Sequence, residues 1–325
     1  MDRRHLRRAK RVACVATWVP RRAASCGVGY GLKRWLPLPT PVASVPEGRM
    51  VDLPGRGRTF VVDVPGPYRD APTVLLLHAL GTTAYLTWFT ALGELSRHYR
   101  VVTLDLRWHG RGIRSDRFRV TDCADDAAAV LDHLGIDDAV VAGYSLGGAV
   151  AQELWHRHPE RVSGLVLCST ARRWKVHRGE QFFFPVLGMA MAPLSRTALA
   201  SVNRRADALP ETPSVDSADL TRWGFAEWRS TSAWSMPAVL AELGRFDSSP
   251  WIGGVDVPAA MVVSSKDAAV PAERQHALAE AVGATVFEAP GGHTSLFADS
   301  RNWLPLFLQA VANVTDRLPD HRQAV

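Results

Sequence analysis

Short, continuous apolar runs alternate with segments of helical spacing from about residue 49 onward, and this rhythm constrains the fold more than any other feature. Thr59–Val64 reads as a strand closed by Pro65-Gly66-Pro67. Thr73–Leu77 and Arg100–Leu104 are apolar runs ending at His78 and Asp105, with helical spacing over Thr87–Arg97 between them. Thr121 and Asp122 can cap a helix that carries Val130, Leu131 and Leu134 on one face and stops at Gly135. A strand at Ala139–Ala142, a helix over Ala149–His156 and a strand at Val162–Leu167 follow. Toward the C-terminus come a strand at Ala259–Ser264, a helix over Ala272–Val282, a short strand at Thr285–Glu288 and a helix over Ser295–Leu318. Runs this continuously apolar suit strands buried on both faces. The order predicts an α/β fold with a mostly parallel, doubly wound sheet, and such sheets bind ligands beyond the carboxyl ends of their strands.

Residues 172–253 break the rhythm. They show no clear strand but carry Phe182, Phe183 and Phe184 and the tryptophans Trp174, Trp223, Trp228, Trp234 and Trp251. A stretch of this length is too long for a structureless loop inside a compact domain. A helical cap inserted into a core of residues 49–171 and 254–325 is expected. Its aromatics either line an apolar pocket or build the cap's own core.

The net charge of +6 misdescribes that core. Ten of the 38 Lys and Arg but one of the 32 acids lie in residues 1–35, which leaves the remainder about three units negative. The basicity belongs to an N-terminal arm, residues 1–48, expected to be flexible, and a nucleic-acid partner is not expected. The arm's apolar run, Val12–Val19, is shorter than the roughly 20 residues that span a bilayer. Pro20-Arg21-Arg22 cuts the run short, unlike a signal peptide. Residues 1–35, with Trp18 and Trp35, either make peripheral contact with an anionic membrane or form a leader with no fold of its own. Cysteines 14, 26, 123 and 168 have no CxxC spacing, and Cys123 and Cys168 sit where small buried thiols are expected. A cytoplasmic location follows as the default.

Gly143-Tyr144-Ser145-Leu146-Gly147, followed by Gly148, matches G-x-S-x-G, a strand-to-helix turn that presents its serine as a nucleophile. The context fits, because a strand leads in and an amphipathic helix leads out. Ser145 would then stand at a helix N-terminus, where negative charge is favoured; the bland alternative is that it only caps the helix. A tetrahedral intermediate needs hydrogen-bond donors aimed at its oxygen. The backbone N–H of Leu146 is the expected first donor. The second would come from His78-Ala79-Leu80-Gly81, with Leu80 preferred, and His78 is expected to buttress that loop.

A serine needs a base, and the base needs a partner to fix its tautomer. Of the histidines after Ser145, His177 falls in the cap, His276 within a helix and His321 in the polar tail. His156 and His158 stand two apart on a helix and face different ways, a poor metal pair. His293, after Pro290-Gly291-Gly292, lies on a loop at a strand's carboxyl end and is the expected base. Asp267, in Asp267-Ala268-Ala269-Val270-Pro271 after the strand Ala259–Ser264, is the expected acid; the alternative is that it caps the next helix. Asp256 precedes that strand, at the wrong edge of the sheet.

Together these residues, with Asp105-Leu106-Arg107-Trp108-His109-Gly110-Arg111-Gly112, resemble the α/β-hydrolase superfamily, and most its lid-bearing bacterial esterase and haloperoxidase-like branch. The resemblance covers roughly residues 50–315. It implies attack by Ser145 on an ester or related acyl carbon, proton transfer by His293, and no metal or organic cofactor. Two positions depart from the pattern: Ala79 stands where many relatives carry glycine, and Trp108 where a small residue is common. Serine at 145 argues against the dehalogenase and epoxide hydrolase branches, which use aspartate. Gly27-x-Gly29-x-Gly31 has neither the spacing nor the preceding strand of a dinucleotide loop. The expected substrate is a small apolar acyl or aryl compound. The same three residues would also serve carbon–carbon hydrolysis, perhydrolysis or acyl transfer; a binding protein with little turnover and a membrane-associated lipase are further alternatives.

Overall fold

In the computed structural model, residues 45–174, 220–231 and 236–318 are described. Residues 1–44 of the basic arm with Cys14 and Cys26, the cap residues Phe182, Phe183, Phe184 and Trp234, and His177 and His321 lie outside them. Eight strands form one sheet: β1 (Gly48–Leu53), β2 (Gly57–Val64), β3 (Thr73–Leu77), β4 (Arg100–Leu104), β5 (Ala139–Tyr144), β6 (Val162–Cys168), β7 (Ala259–Ser264) and β8 (Thr285–Ala289). Their order is β1-β2-β4-β3-β5-β6-β7-β8. β1, β2 and β4 pair antiparallel and every other neighbour pair is parallel. The described helices are α1 (Ala84–Leu95), α2 (Val120–His133), α3 (Leu146–Arg157), α4 (Leu220–Ser230), α5 (Met236–Leu243), α6 (Ala272–Ala281), α7 (Ser295–Ala298) and α8 (Ser300–Thr315).

Period-2 geometry sends alternate side chains of each strand to opposite faces. Leu75 and Leu77 of β3 enter a cluster with α2, α3 and α6. Val74 and Leu76 of the same strand join α1 and α8 on the other side. Both faces of the central strands are therefore covered, which is why their sequences lack polar alternation. On the second face Phe307 stacks on Trp88 at 5.2 Å and on Trp303 at 5.0 Å between ring centroids. Cys123 and Cys168 are buried free thiols, and burial pushes both pKa values up.

Several elements differ from expectation. β1 is an additional edge strand; Val51 and Leu53 alternate inward along it, and a Pro54-Gly55 turn follows, a short-range pattern open to reading in advance. α2 begins earlier than expected, with Arg119 at its N-cap and no side-chain cap. Thr121 and Asp122 lie inside its first turn. The C-terminal helix is interrupted at Asp299, whose φ of −142° and ψ of 43° separate α7 from α8. Among the described residues, no helix is long and apolar enough to cross a membrane.

The segment between β6 and β7 leaves and returns at one place. Ser248 N–H donates to the Arg172 carbonyl at 2.8 Å, and Arg173 bridges Asp247 antiparallel. Two of its tryptophans pack against the sheet's own helices. Trp223 meets Phe89 of α1 at 5.6 Å, and Trp251 lies flat on His156 of α3 at 4.1 Å.

Truncation of a large buried aromatic costs about 3–5 kcal/mol. Phe307→Ala is expected to lose that much in urea unfolding, whereas Val286→Ala on exposed β8 stays within roughly 0.5 kcal/mol. A loss under 1 kcal/mol at Phe307 would show that the stacked cluster does not support the second face.

Candidate active site

β5 runs between β3 and β6, and Ser145 follows its last residue. Its φ of 54° and ψ of −110° place a non-glycine residue in strained backbone, at a cost of about 1–3 kcal/mol. The turn closes only because of the flanking glycines. A Cβ on Gly143 would stand 2.3 Å from the Gly147 carbonyl oxygen, and one on Gly147 would stand 2.0 Å from that of Leu77. A Cβ on Gly148 would meet Thr170 at 2.5 Å. The end of β6 braces the strained residue: Ser145 N–H donates to the Cys168 carbonyl at 2.9 Å, and Thr170 Oγ1 donates to the Ser145 carbonyl at 2.9 Å.

The three residues singled out in the sequence meet at this edge. His293 Nε2 lies 2.9 Å from Ser145 Oγ, and His293 Nδ1 lies 2.7 Å from Asp267 Oδ2. The Asp267 side chain is fully buried, while that of His293 is 25% exposed. Asp267 does not cap α6, whose N-cap is Pro271. Its Oδ1 instead accepts from the N–H groups of Ala269 and Val270, both at 2.8 Å. Such an arrangement orients an imidazole to take the serine's proton and stabilises the charge that results.

Supporting groups complete the site, and the sequence did not single them out. Gln275 of α6 is buried, donates to Asp267 Oδ2 at 3.3 Å and to the Val270 carbonyl at 2.7 Å, and accepts from Ser264 N–H at 3.0 Å. Tyr144 donates its hydroxyl to the His293 carbonyl at 2.9 Å, fixing the loop that carries the imidazole.

The loop after β3 runs beside the turn, since Leu77 pairs with Gly143 and Gly147 abuts the Leu77 and His78 carbonyls. Thr82 and Thr87 share a hydroxyl hydrogen bond of 2.6 Å; Thr82 donates to the Ala79 carbonyl and Thr87 accepts from Ala79 N–H. This engages Ala79, the departure from the family pattern. Among the described hydrogen bonds, the backbone N–H groups of Leu80 and Leu146 donate to none.

His78 buttresses this loop. Its Nε2 accepts from Leu106 N–H at 2.8 Å, so Nδ1 carries the proton toward the Ala79 carbonyl at 2.8 Å. His109 lies against it at 5.0 Å between ring centroids. Burial lowers His78 to about 4 and His109 to about 3. Trp108 takes a left-handed φ of 63° and donates its indole N–H to the Ser115 carbonyl at 2.9 Å. His156 stacks on Trp251 while His158 reaches Asp125 at 2.8 Å, so the two do diverge. Among the described residues no group of three His, Cys, Asp or Glu is placed to hold a metal ion.

A mostly parallel sheet with a serine in a strained turn at the end of a central strand is the architecture of the α/β hydrolases. The chain belongs to that family: the alpha/beta hydrolase fold model matches residues 72–300. It is similar to the magnesium-chelatase 30 kDa subunit of Rhodobacter capsulatus, 30% identical over 250 residues that cover 72% of this chain and 84% of that protein. It is also similar to 3-oxoadipate enol-lactonase 1 of Acinetobacter baylyi (strain ATCC 33305 / BD413 / ADP1), 30% identical over 118 residues, 36% of this chain and 44% of that one. The crystal structure of the enol-lactonase from Burkholderia xenovorans LB400 shares the fold with a TM-score of 0.64 at 22% identity, covering 82% of this chain and 100% of that chain.

The buried histidines generate a pH prediction. Each stays neutral in the folded protein but takes a proton in the unfolded chain below about 6.5. Their contribution is therefore complete above that value and is lost as pH falls toward the folded values. Between pH 7.5 and 5.0 each histidine is expected to remove about 2 kcal/mol of stability. In urea unfolding, His109→Gln should lose correspondingly less than the wild type over that interval; parallel slopes would refute the assignment.

Proposed function

We propose that the protein is a serine hydrolase that cleaves an ester or related acyl bond of a small apolar substrate through an acyl-enzyme on Ser145. The observation that carries this reading is the hydrogen-bonded series from Ser145 Oγ through His293 to the buried Asp267 carboxylate, at 2.9 and 2.7 Å. Ser145 attacks the acyl carbon while His293 Nε2 takes its proton, and Asp267 holds Nδ1–H and stabilises the imidazolium. The tetrahedral oxygen is received by the N–H groups of Leu80 and Leu146, the second at the N-terminus of α3. His293 then protonates the leaving group, and water activated by the same imidazole releases the acid. Residues 172–253 act as a cap over the site. The similar proteins include an enol-lactonase and putative carbamate hydrolases, which supports an ester or related acyl bond as the target.

A second reading has one observation in its favour: the similar protein from Rhodobacter capsulatus is named as a subunit of another enzyme. A chain in that role would bind a ligand or partner and turn over little.

Two measurements separate these readings. Fluorophosphonate labelling and hydrolysis of p-nitrophenyl esters of graded acyl length are both expected, with turnover highest for one chain length. Ser145→Ala should remove the labelling and lower kcat by on the order of 10⁴ or more. A wild type that is neither labelled nor active on any ester overturns the hydrolase reading. Gln275→Leu, which strips one donor from Asp267, is expected to lower kcat about tenfold at nearly constant KM, as outer-shell hydrogen bonds do in other catalytic sites. An unchanged kcat would show that Asp267 needs no support from α6.

A further inference from the structure

The segment between β6 and β7 reaches the loop after β3 with buried polar groups, which its aromatic contacts elsewhere do not require. Glu227 of α4 accepts from Thr83 Oγ1 at 2.8 Å and from Arg111 Nη2 at 2.9 Å. The side chains of Arg111 and Glu227 are only 4% and 2% exposed. Thr83 is the N-cap of α1 and accepts from Leu86 N–H at 3.1 Å, so Glu227 holds the residue at which the loop becomes a helix. Four residues on, Thr231 Oγ1 accepts from Gly110 N–H at 3.0 Å and donates to the Thr82 carbonyl at 3.4 Å. Asp105 closes the circle, accepting from the N–H groups of Ala84 and Arg111, both at 2.8 Å. The loop's turn at Gly81, φ 74°, faces Met236 of α5, whose sulfur would lie 3.4 Å from an added Cβ.

A buried ion pair contributes little net stability, because desolvation offsets the attraction, but its geometry is demanding. Here one guanidinium serves two buried carboxylates, Asp105 and Glu227, and burial raises the pKa of both. The natural result of such an arrangement is orientation. We propose that Glu227 is a positioning residue: from the segment between β6 and β7 it sets the conformation of residues 79–83, and so the aim of the Leu80 N–H. Acyl-transfer rate, and not only substrate affinity, then depends on how that segment docks. The inference rests on the serine-hydrolase reading for its catalytic half alone.

The test uses the full chain. Glu227→Gln keeps the volume and an acceptor for Thr83 but removes the charge facing Arg111. Amide hydrogen exchange across residues 78–90 is expected to quicken at least tenfold in this variant, with β5 unchanged. On a p-nitrophenyl acetate substrate kcat should fall at least tenfold and KM stay within threefold. The acidic limb of the pH profile of kcat/KM should not move. Unaltered exchange in the loop, or a raised KM with kcat preserved, would overturn the proposal. Should Glu227→Gln fail to fold, Thr231→Val removes the second contact without touching a charge and is read in the same way. A wild type that is inactive and unlabelled would sink the hydrolase reading, while exchange would still decide whether the segment holds the loop.

Discussion

The close approach of β5 and α3 at Ser145 is the constraint on which the rest of the site depends. A side chain larger than hydrogen at Gly143 or Gly147 would collide with backbone oxygens at 2.3 or 2.0 Å, so the turn exists only with these residues. Its strain is held by hydrogen bonds from the end of β6, through Cys168 and Thr170. The turn therefore depends on the pairing of β5 with β6. It places a hydroxyl at the positive end of α3, next to a loop that leaves β3 one strand away. The parallel order then brings the ends of β7 and β8 to the same edge, where the loops bearing Asp267 and His293 converge on Ser145.

Much of this was legible in the linear chain, for identifiable reasons. Strands covered on both faces are continuous apolar runs, so Thr73–Leu77, Arg100–Leu104 and Ala259–Ser264 coincide with their observed limits. The residues now joined by hydrogen bonds announce themselves through position: a serine between glycines, and an aspartate and a histidine each just past a strand. What stayed hidden depends on through-space neighbours. Gln275 is one polar residue in an amphipathic helix, and nothing local says that its amide points at Asp267. Thr83 and Glu227 lie far apart in sequence and meet only because α4 docks on α1. The start of α2 was misplaced because its N-terminus has no side-chain cap, so propensity pointed to Thr121 and Asp122.

The described tryptophans of residues 172–253 show what apolar contacts fix and what they leave free. An aromatic-rich segment was expected to line a pocket or to form its own core. Trp223 packs on α1, and Trp251 packs on α3 and on Phe246 of its own segment. Trp228 remains 39% exposed. Apolar area fastens the segment in place, because it is non-directional and tolerant of sliding. The polar groups of Glu227 and Thr231 supply the register that such contacts lack, since hydrogen bonds fail within a few tenths of an ångström.

The paired strands of backbone at Arg172–Arg173 and Asp247–Ser248 act like the neck of a pouch. Whatever length of chain hangs from a neck already tied, the sheet below experiences the same two anchor points. Chain-closure entropy rises only by about 0.6 kcal/mol for each doubling of the excursion. Evolution is thus free to resize or rewrite what hangs there, provided the few atoms that reach back to the rim keep their places. Divergence among such proteins should be concentrated in the pouch, with the stitching at its mouth far slower to change.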